Sequence, residues 1–234
     1  MAYFFLGKNH VSFMEELLFN TWIKHVFEHP VLPTAWYFDI NYDYTIPEPI
    51  EHLSHPTVAL FIKNTCIRAN ELLENYSTDQ IAQGLQYIFN PSCSDYSHSV
   101  KEKEVKKEER LQVLYSIRFL YLHLFEKQAL PALSHLNHTQ NSLNNICYMF
   151  WDISPLAYWE KENDKLFYYE MVLDTLKFAL KLKNIACQES ALHGLGHLYP
   201  YMPKQVQNLI LENQKIIPAE LVEYSKAASV GAVL

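Results

Sequence analysis

The chain has 234 residues, of which 49% are hydrophobic, 19% are charged and 14% are aromatic, and its formal net charge at pH 7 is −7. This length and composition are those of a globular protein with a sizeable core, and they exclude a disordered chain. Its five glycines form no cluster after a predicted strand, which excludes a P-loop or a dinucleotide-binding fingerprint. We therefore expect no cofactor.

The charge is distributed unevenly. Residues 1–60 contain seven acids and two lysines, whereas residues 161–234 contain eight residues of each sign. An acidic surface repels phosphate, so we expect no nucleic-acid partner, and the acidic part would instead attract a basic protein. The sequence has no signal peptide, no apolar run long enough for a bilayer and no C-x-x-C pair, which predicts a cytoplasmic protein that binds no membrane.

Helical patterns dominate the first half of the chain. Ser12-Phe-Met-Glu15 and Ser77-Thr-Asp-Gln80 are capping boxes, in which the side chains at both ends bind free backbone amides. They predict helices over residues 12–28 and 77–89, with another over residues 56–76 that begins at a proline. The charged run at 101–110 predicts the solvated start of a helix that becomes a core element up to Phe125.

One segment breaks the helical pattern. Large apolar and aromatic residues alternate with mostly polar ones over residues 36–44, which predicts a strand or an extended arm with one buried face. Tyrosine and tryptophan are frequent anchors at protein interfaces, and aspartates would complement a basic partner. The candidate partner-binding residues are Trp36, Tyr37, Asp39, Tyr42, Asp43 and Tyr44. The alternative is an arm packed over the helical core, with its acids merely solvated.

Five more helices are predicted, at about residues 139–152, 165–182, 185–198, 203–214 and 218–228. The last four form two short-linked pairs, and the stretch Ala191-Leu-His-Gly-Leu195 has the small and apolar residues of a tight helix crossing. Residues 165–228 thus resemble HEAT-like repeats, which implies a scaffold with a concave binding surface. We predict one all-α domain over residues 1–234, an irregular bundle or solenoid with an irregular part (1–130) and a part built of helical pairs (131–234).

Histidine pairs offer a metal-binding alternative. His25-Val-Phe-Glu-His29 resembles the H-x-x-E-H motif of inverted zinc peptidases, in which both histidines bind metal and the glutamate is the base. His193 and His197 also share a helix face, but Glu189 is about 12 Å from His197 along the axis and cannot join them at one ion. A ligand from another element would be required, and packing at a helix crossing is the simpler interpretation.

The overall profile is similar to that of bacterial immunity proteins, which are small acidic proteins that neutralise a toxin by occluding it. That resemblance implies a non-catalytic protein with a basic partner. Two alternatives remain open: a metal-dependent enzyme that uses His193 and His197, or His25, Glu28 and His29, and a structural subunit of a larger complex.

Overall fold

The computed structural model describes residues 13–136 and 141–233. Regular structure in these ranges is helical and includes no strand, so the predicted all-α fold class is confirmed. The α-helices are α1 (Phe13–Phe27), α2 (Glu48–Glu51), α3 (His55–Ile67), α4 (Ala69–Leu72), α5 (Thr78–Phe89), α6 (Tyr96–Ser99), α7 (Lys107–Leu120), α8 (Glu126–Gln128), α9 (Ser142–Ile153), α10 (Lys165–Leu180), α11 (Ile185–Leu198), α12 (Pro203–Glu212) and α13 (Val222–Ala228). None of them is both long enough and apolar enough to cross a bilayer.

Side-chain caps explain several helix starts. The Ser77 hydroxyl accepts the Gln80 amide at 3.2 Å, and the Gln80 side chain accepts the Ser77 amide at 3.1 Å, so the capping box of α5 is confirmed. The Asn141 side chain caps α9 by accepting the amides of Leu143 and Asn144, and the Asn184 side chain caps α11 by accepting the amide of Ala186. Ser12 lies outside the described residues, so the capping box predicted there stays a prediction.

The predicted start of the charged helix is wrong. Residues 101–106 form turns and α7 begins only at Lys107, because the buried Arg110 guanidinium binds back to this segment. It donates to the carbonyls of Val105 and Glu102 at 3.0 and 2.9 Å, and pairs with Glu162 at 2.9 Å. These contacts satisfy the guanidinium only if the backbone before α7 is bent.

Two helices organise the interior. α7 packs between α3 and α10, and α11 packs between α9 and α10. α7 presents Leu114, Ile117 and Leu120, all completely buried, which agrees with the core role predicted for the apolar half of its segment. α11 is buried along nearly its whole length, so its polar residues must find partners inside the protein.

A π-helical turn, Tyr121–Phe125, continues α7 and leads into α8. It places the Tyr121 hydroxyl between two other helices: the Trp151 indole donates to it at 2.8 Å, and it is 2.6 Å from the Ser190 hydroxyl. α7, α9 and α11 are thereby joined by one buried hydrogen-bonded chain, which fixes their relative positions.

The helices predicted within residues 165–228 are present, with the last one divided into a 3₁₀ turn at Ala219–Leu221 and α13. α11 packs closely against α9 as well as against its neighbour α10. These helices agree in position with the predicted pairs, and the HEAT-like resemblance itself stays a prediction.

Candidate functional site

The loop between α1 and α2 contains all the residues predicted to bind a partner. It forms turns rather than a strand, so the strand interpretation of residues 36–44 is wrong. The amides of Phe38 and Asp39 both donate to the Ala35 carbonyl, at 2.8 and 3.1 Å, and the Asn41 amide donates to the Asp39 carboxylate at 2.9 Å. Local bonds of this kind replace the ladder that a strand would need, since no described strand is available for pairing.

Trp36 anchors this loop. Its ring is buried, stacks on His29 with 3.7 Å between the centroids, and lies 4.6 Å from the ring of Tyr87 on α5. A buried ring cannot contact a partner. Trp36 is therefore a structural anchor of the loop and not one of the residues that could bind a partner directly. Tyr37, Tyr42 and Tyr44 are half-buried around it.

Two residues of the loop that alternation predicted to be buried are in fact exposed. Ile40 is 97% exposed and Phe38 is 54% exposed, although both were placed on the same face as Trp36. Asp43 is exposed and Asp39 is half-buried, as a solvated acidic rim requires. The α1–α2 loop therefore combines a rigid aromatic base with an apolar tip.

A groove of about 420 Å³ lies beside the loop, between it and the helices α5 and α9. The loop contributes apolar surface from Val31, Leu32 and Tyr37, and the helices contribute the amides of Gln83 and Asn145. The Oε1 atom of Gln83 is buried and has no hydrogen-bond donor among the described residues.

The two histidines of the H-x-x-E-H motif make packing and hydrogen-bond contacts with the loop. The His29 Nε2 atom donates to the His25 carbonyl at 2.6 Å, and its Nδ1 atom lies 3.2 Å from the Tyr42 hydroxyl, so both ring nitrogens are used. Glu28 is exposed, while His25 is buried among the rings of Trp36 and Tyr87. The motif ends α1 and packs the loop, and these contacts do not support the zinc peptidase interpretation.

Burial of His25 should make stability depend on pH. Desolvation, followed by the nearby His29, lowers the pKa of His25 from 6.5 to about 4; its other ring neighbours, from the loop and α5, are Trp36, Tyr44 and Tyr87. Between pH 6.5 and pH 4 the His25 imidazole is therefore protonated in the unfolded chain but mostly neutral in the folded chain. The contribution of His25 to stability is fully present above pH 6.5 and is lost as the pH falls towards 4.

We expect His25 to account for roughly 2 kcal/mol of the stability lost between pH 7.5 and pH 4.5. Urea unfolding at both pH values should show that His25→Leu removes this part of the loss. The exposed His98 offers the control, since His98→Leu should keep the wild-type pH dependence. An equal loss in the wild type and in His25→Leu would contradict the assignment.

A second candidate, here called the histidine cluster, consists of Asp152, His193 and His197. The two histidines are one turn apart on α11, and their Nε2 atoms are 3.1 Å apart. Asp152, from the last turn of α9, places its Oδ1 atom 3.4 Å from the His197 Nε2 atom. All three donor atoms lie within 4.8 Å of one another. No pattern in the sequence indicates Asp152, because it lies 41 positions before His193 and on another helix.

Both imidazoles of the histidine cluster favour the neutral form. Burial, and then the nearby His197 and His135, lowers the pKa of His193 to about 4. Burial also lowers the pKa of His197, while the Asp152 charge opposes that change. Neutral rings keep the lone pairs that a metal ligand needs.

Glu189 lies outside the cluster, as its helical spacing predicted. Its buried carboxylate accepts the amides of Ser134 and His135, both at 2.9 Å, and its Oε1 atom is 2.5 Å from the His135 Nδ1 atom. Glu189 thus holds the segment before α9 against α11, which is a structural role.

Other histidine pairs give weaker sites. His55 approaches Glu102 and Glu104, but all three are exposed and the His55 ring already bonds the Ser99 hydroxyl at 3.1 Å.

Three comparisons with known proteins were made, and none of them identified a related protein. A scan against protein-family models, a search of curated proteins and a search of solved structures each found no match for this chain.

Proposed function

We propose that the protein is a non-catalytic binding module that occludes a basic protein, such as a toxin domain, with the surface of its α1–α2 loop. The observation that carries the proposal is Ile40, an isoleucine side chain that is 97% exposed at the tip of a loop anchored by a buried tryptophan. An exposed apolar side chain on a rigid base resembles the anchor residues of interfaces, because little conformational entropy is lost on binding.

Charge supports a basic partner. Between Lys24 and Lys63 the sequence has five acids and no Lys or Arg. These acids are Glu28, Asp39, Asp43, Glu48 and Glu51, and none of them forms an ion pair with another described residue. Uncompensated negative charge around an apolar anchor speeds association with a positive surface and selects against acidic competitors.

The groove gives the partner a place to insert. It adjoins Tyr37, and the side-chain amides of Gln83 and Asn145 line it as polar groups that an entering backbone or side chain could bind. A partner that covers Ile40 and fills the groove would bury apolar surface at its centre and meet the acids at its rim, as is usual for specific interfaces.

The partner can be identified by site-specific photo-crosslinking. A photoreactive phenylalanine at position 40 should capture one protein from the source cell, whereas the same group at Leu211, which is 63% exposed on α12, should not capture that protein. Capture of the same partner at both positions, or of none at position 40, would contradict the proposed surface.

Affinity for the purified partner then tests the mechanism. Ile40→Asp should raise the Kd at least about 30-fold, and Asp43→Lys should raise it about 10-fold, with an effect that shrinks at high salt. Leu211→Asp and Glu212→Lys are the matched controls and should leave the Kd unchanged. If the partner arrests growth and co-expression of the wild type, but not of Ile40→Asp, restores growth, the inhibitor role holds. A harmless partner would favour the structural-subunit alternative.

A further inference from the structure

We infer that the histidine cluster is a binding site for a divalent transition metal ion, with Zn²⁺ the ion that suits it best. The site would use the Nε2 atoms of His193 and His197 and a carboxylate oxygen of Asp152. Two imidazoles and one carboxylate are a donor set that zinc readily accepts, and three protein ligands leave one position for water.

The distances between the donor atoms fit an ion. Nitrogen and oxygen ligands lie about 2.0–2.1 Å from zinc, so two ligands of a tetrahedral site are about 3.3 Å apart. The two Nε2 atoms are 3.1 Å apart, and the Asp152 oxygen is 3.4 Å from His197. Only a small movement of Asp152, whose side chain is partly exposed, would bring the third donor to the ion.

The surroundings of His193 orient its ring for metal binding. Its Nδ1 atom lies 2.7 Å from the Tyr224 hydroxyl, which is in turn 3.0 Å from the Tyr148 hydroxyl. A partner on the far nitrogen fixes the ring and directs the Nε2 lone pair at the ion, and such partners commonly change metal affinity 10- to 100-fold. The Tyr224 contact is therefore a positioning contact.

Gly194 explains how the carboxylate reaches the histidines. A Cβ atom there would lie 2.7 Å from the Trp151 ring and 2.5 Å from Leu176, so only glycine allows α9 to approach α11 this closely. Trp151 immediately precedes Asp152. The absence of a side chain at Gly194 therefore allows Asp152 to lie close to His193 and His197.

A direct hydrogen bond between two neutral imidazoles would also place the Nε2 atoms near 3 Å, and metal titration separates the two explanations. Protein treated with EDTA should bind one equivalent of Co²⁺ per chain, with visible absorption bands from nitrogen and oxygen ligands, and Zn²⁺ should abolish these bands by displacing Co²⁺. Binding of less than a tenth of an equivalent of either ion would overturn the inference.

Variants then assign the ligands. His197→Ala should weaken Co²⁺ binding at least 100-fold, Asp152→Asn at least 10-fold and Tyr224→Phe up to 10-fold. His98→Ala removes an exposed histidine and should bind like the wild type. If His197→Ala were unfolded by circular dichroism, Asp152→Asn, an isosteric change at a partly exposed position, would decide alone. Wild-type affinity in Asp152→Asn, or an equal loss in His98→Ala, would overturn the assignment.

Discussion

Glu189→Ala is expected to lower the free energy of unfolding by about 4 kcal/mol at pH 7. The carboxylate is completely buried and accepts two backbone amides, from Ser134 and His135, as well as the ring of His135. Its removal leaves these donors without an acceptor at a mostly buried site, and each buried unsatisfied group costs about 1–3 kcal/mol. Urea unfolding of both proteins measures the difference.

Two further variants sharpen this prediction. Glu189→Gln keeps the shape and one acceptor oxygen, so it should cost less, about 1–3 kcal/mol. Glu223→Ala removes a glutamate that is exposed on α13 and paired with Lys226, and should change stability by less than about 0.5 kcal/mol. If Glu189→Ala were no more harmful than Glu223→Ala, the segment before α9 would not depend on this carboxylate.

Gly194→Val is expected to cost about 3 kcal/mol or more. Its side chain would occupy the space of the Trp151 ring and of Leu176, and neither the core residues nor the two helices can move apart without leaving cavities. Thermal and urea unfolding should both report the loss. The same variant should weaken Co²⁺ binding to the histidine cluster, because it separates Asp152 from α11.

Gly196 provides a matched control two residues further along α11. The three atoms nearest to a Cβ atom there all belong to the side chain of Val233. Val233 lies in a non-helical segment near the C-terminal end of the described residues and can move aside. Gly196→Val should therefore cost less than about 1 kcal/mol. Equal costs at both positions would show that helix propensity, and not the crossing with α9, decides the result.

Local sequence signals predicted the helices well, since caps, prolines and apolar periodicity act within one or two turns. Ser77 and Gln80, for example, determine the start of α5 between themselves. The same local signals were wrong at residues 101–106, because Arg110 binds back to this segment and pairs with Glu162 across the fold. A charge pattern cannot report a contact between residues that are 52 positions apart.

The candidate sites were only partly predictable, for a related reason. The segment was correctly predicted to be non-helical. Alternation nevertheless placed Phe38 and Ile40 with Trp36, since the pattern assumes an extended backbone and the chain instead turns at Ala35 and Asp39. Likewise, helical spacing paired His193 with His197 and excluded Glu189. Asp152 could be found only from the crossing of α9 and α11, which depends on packing.

The four tryptophans, at positions 22, 36, 151 and 159, are at most 1% exposed. The intrinsic tryptophan fluorescence of the protein should therefore report on its folded state. This fluorescence should be blue-shifted and resistant to iodide quenching, and should move to longer wavelength when the chain unfolds. Trp36 lies directly beneath the proposed contact surface, stacked on His29 and 5.1 Å from the ring of Tyr37. Its emission can therefore follow partner docking in real time without an attached dye.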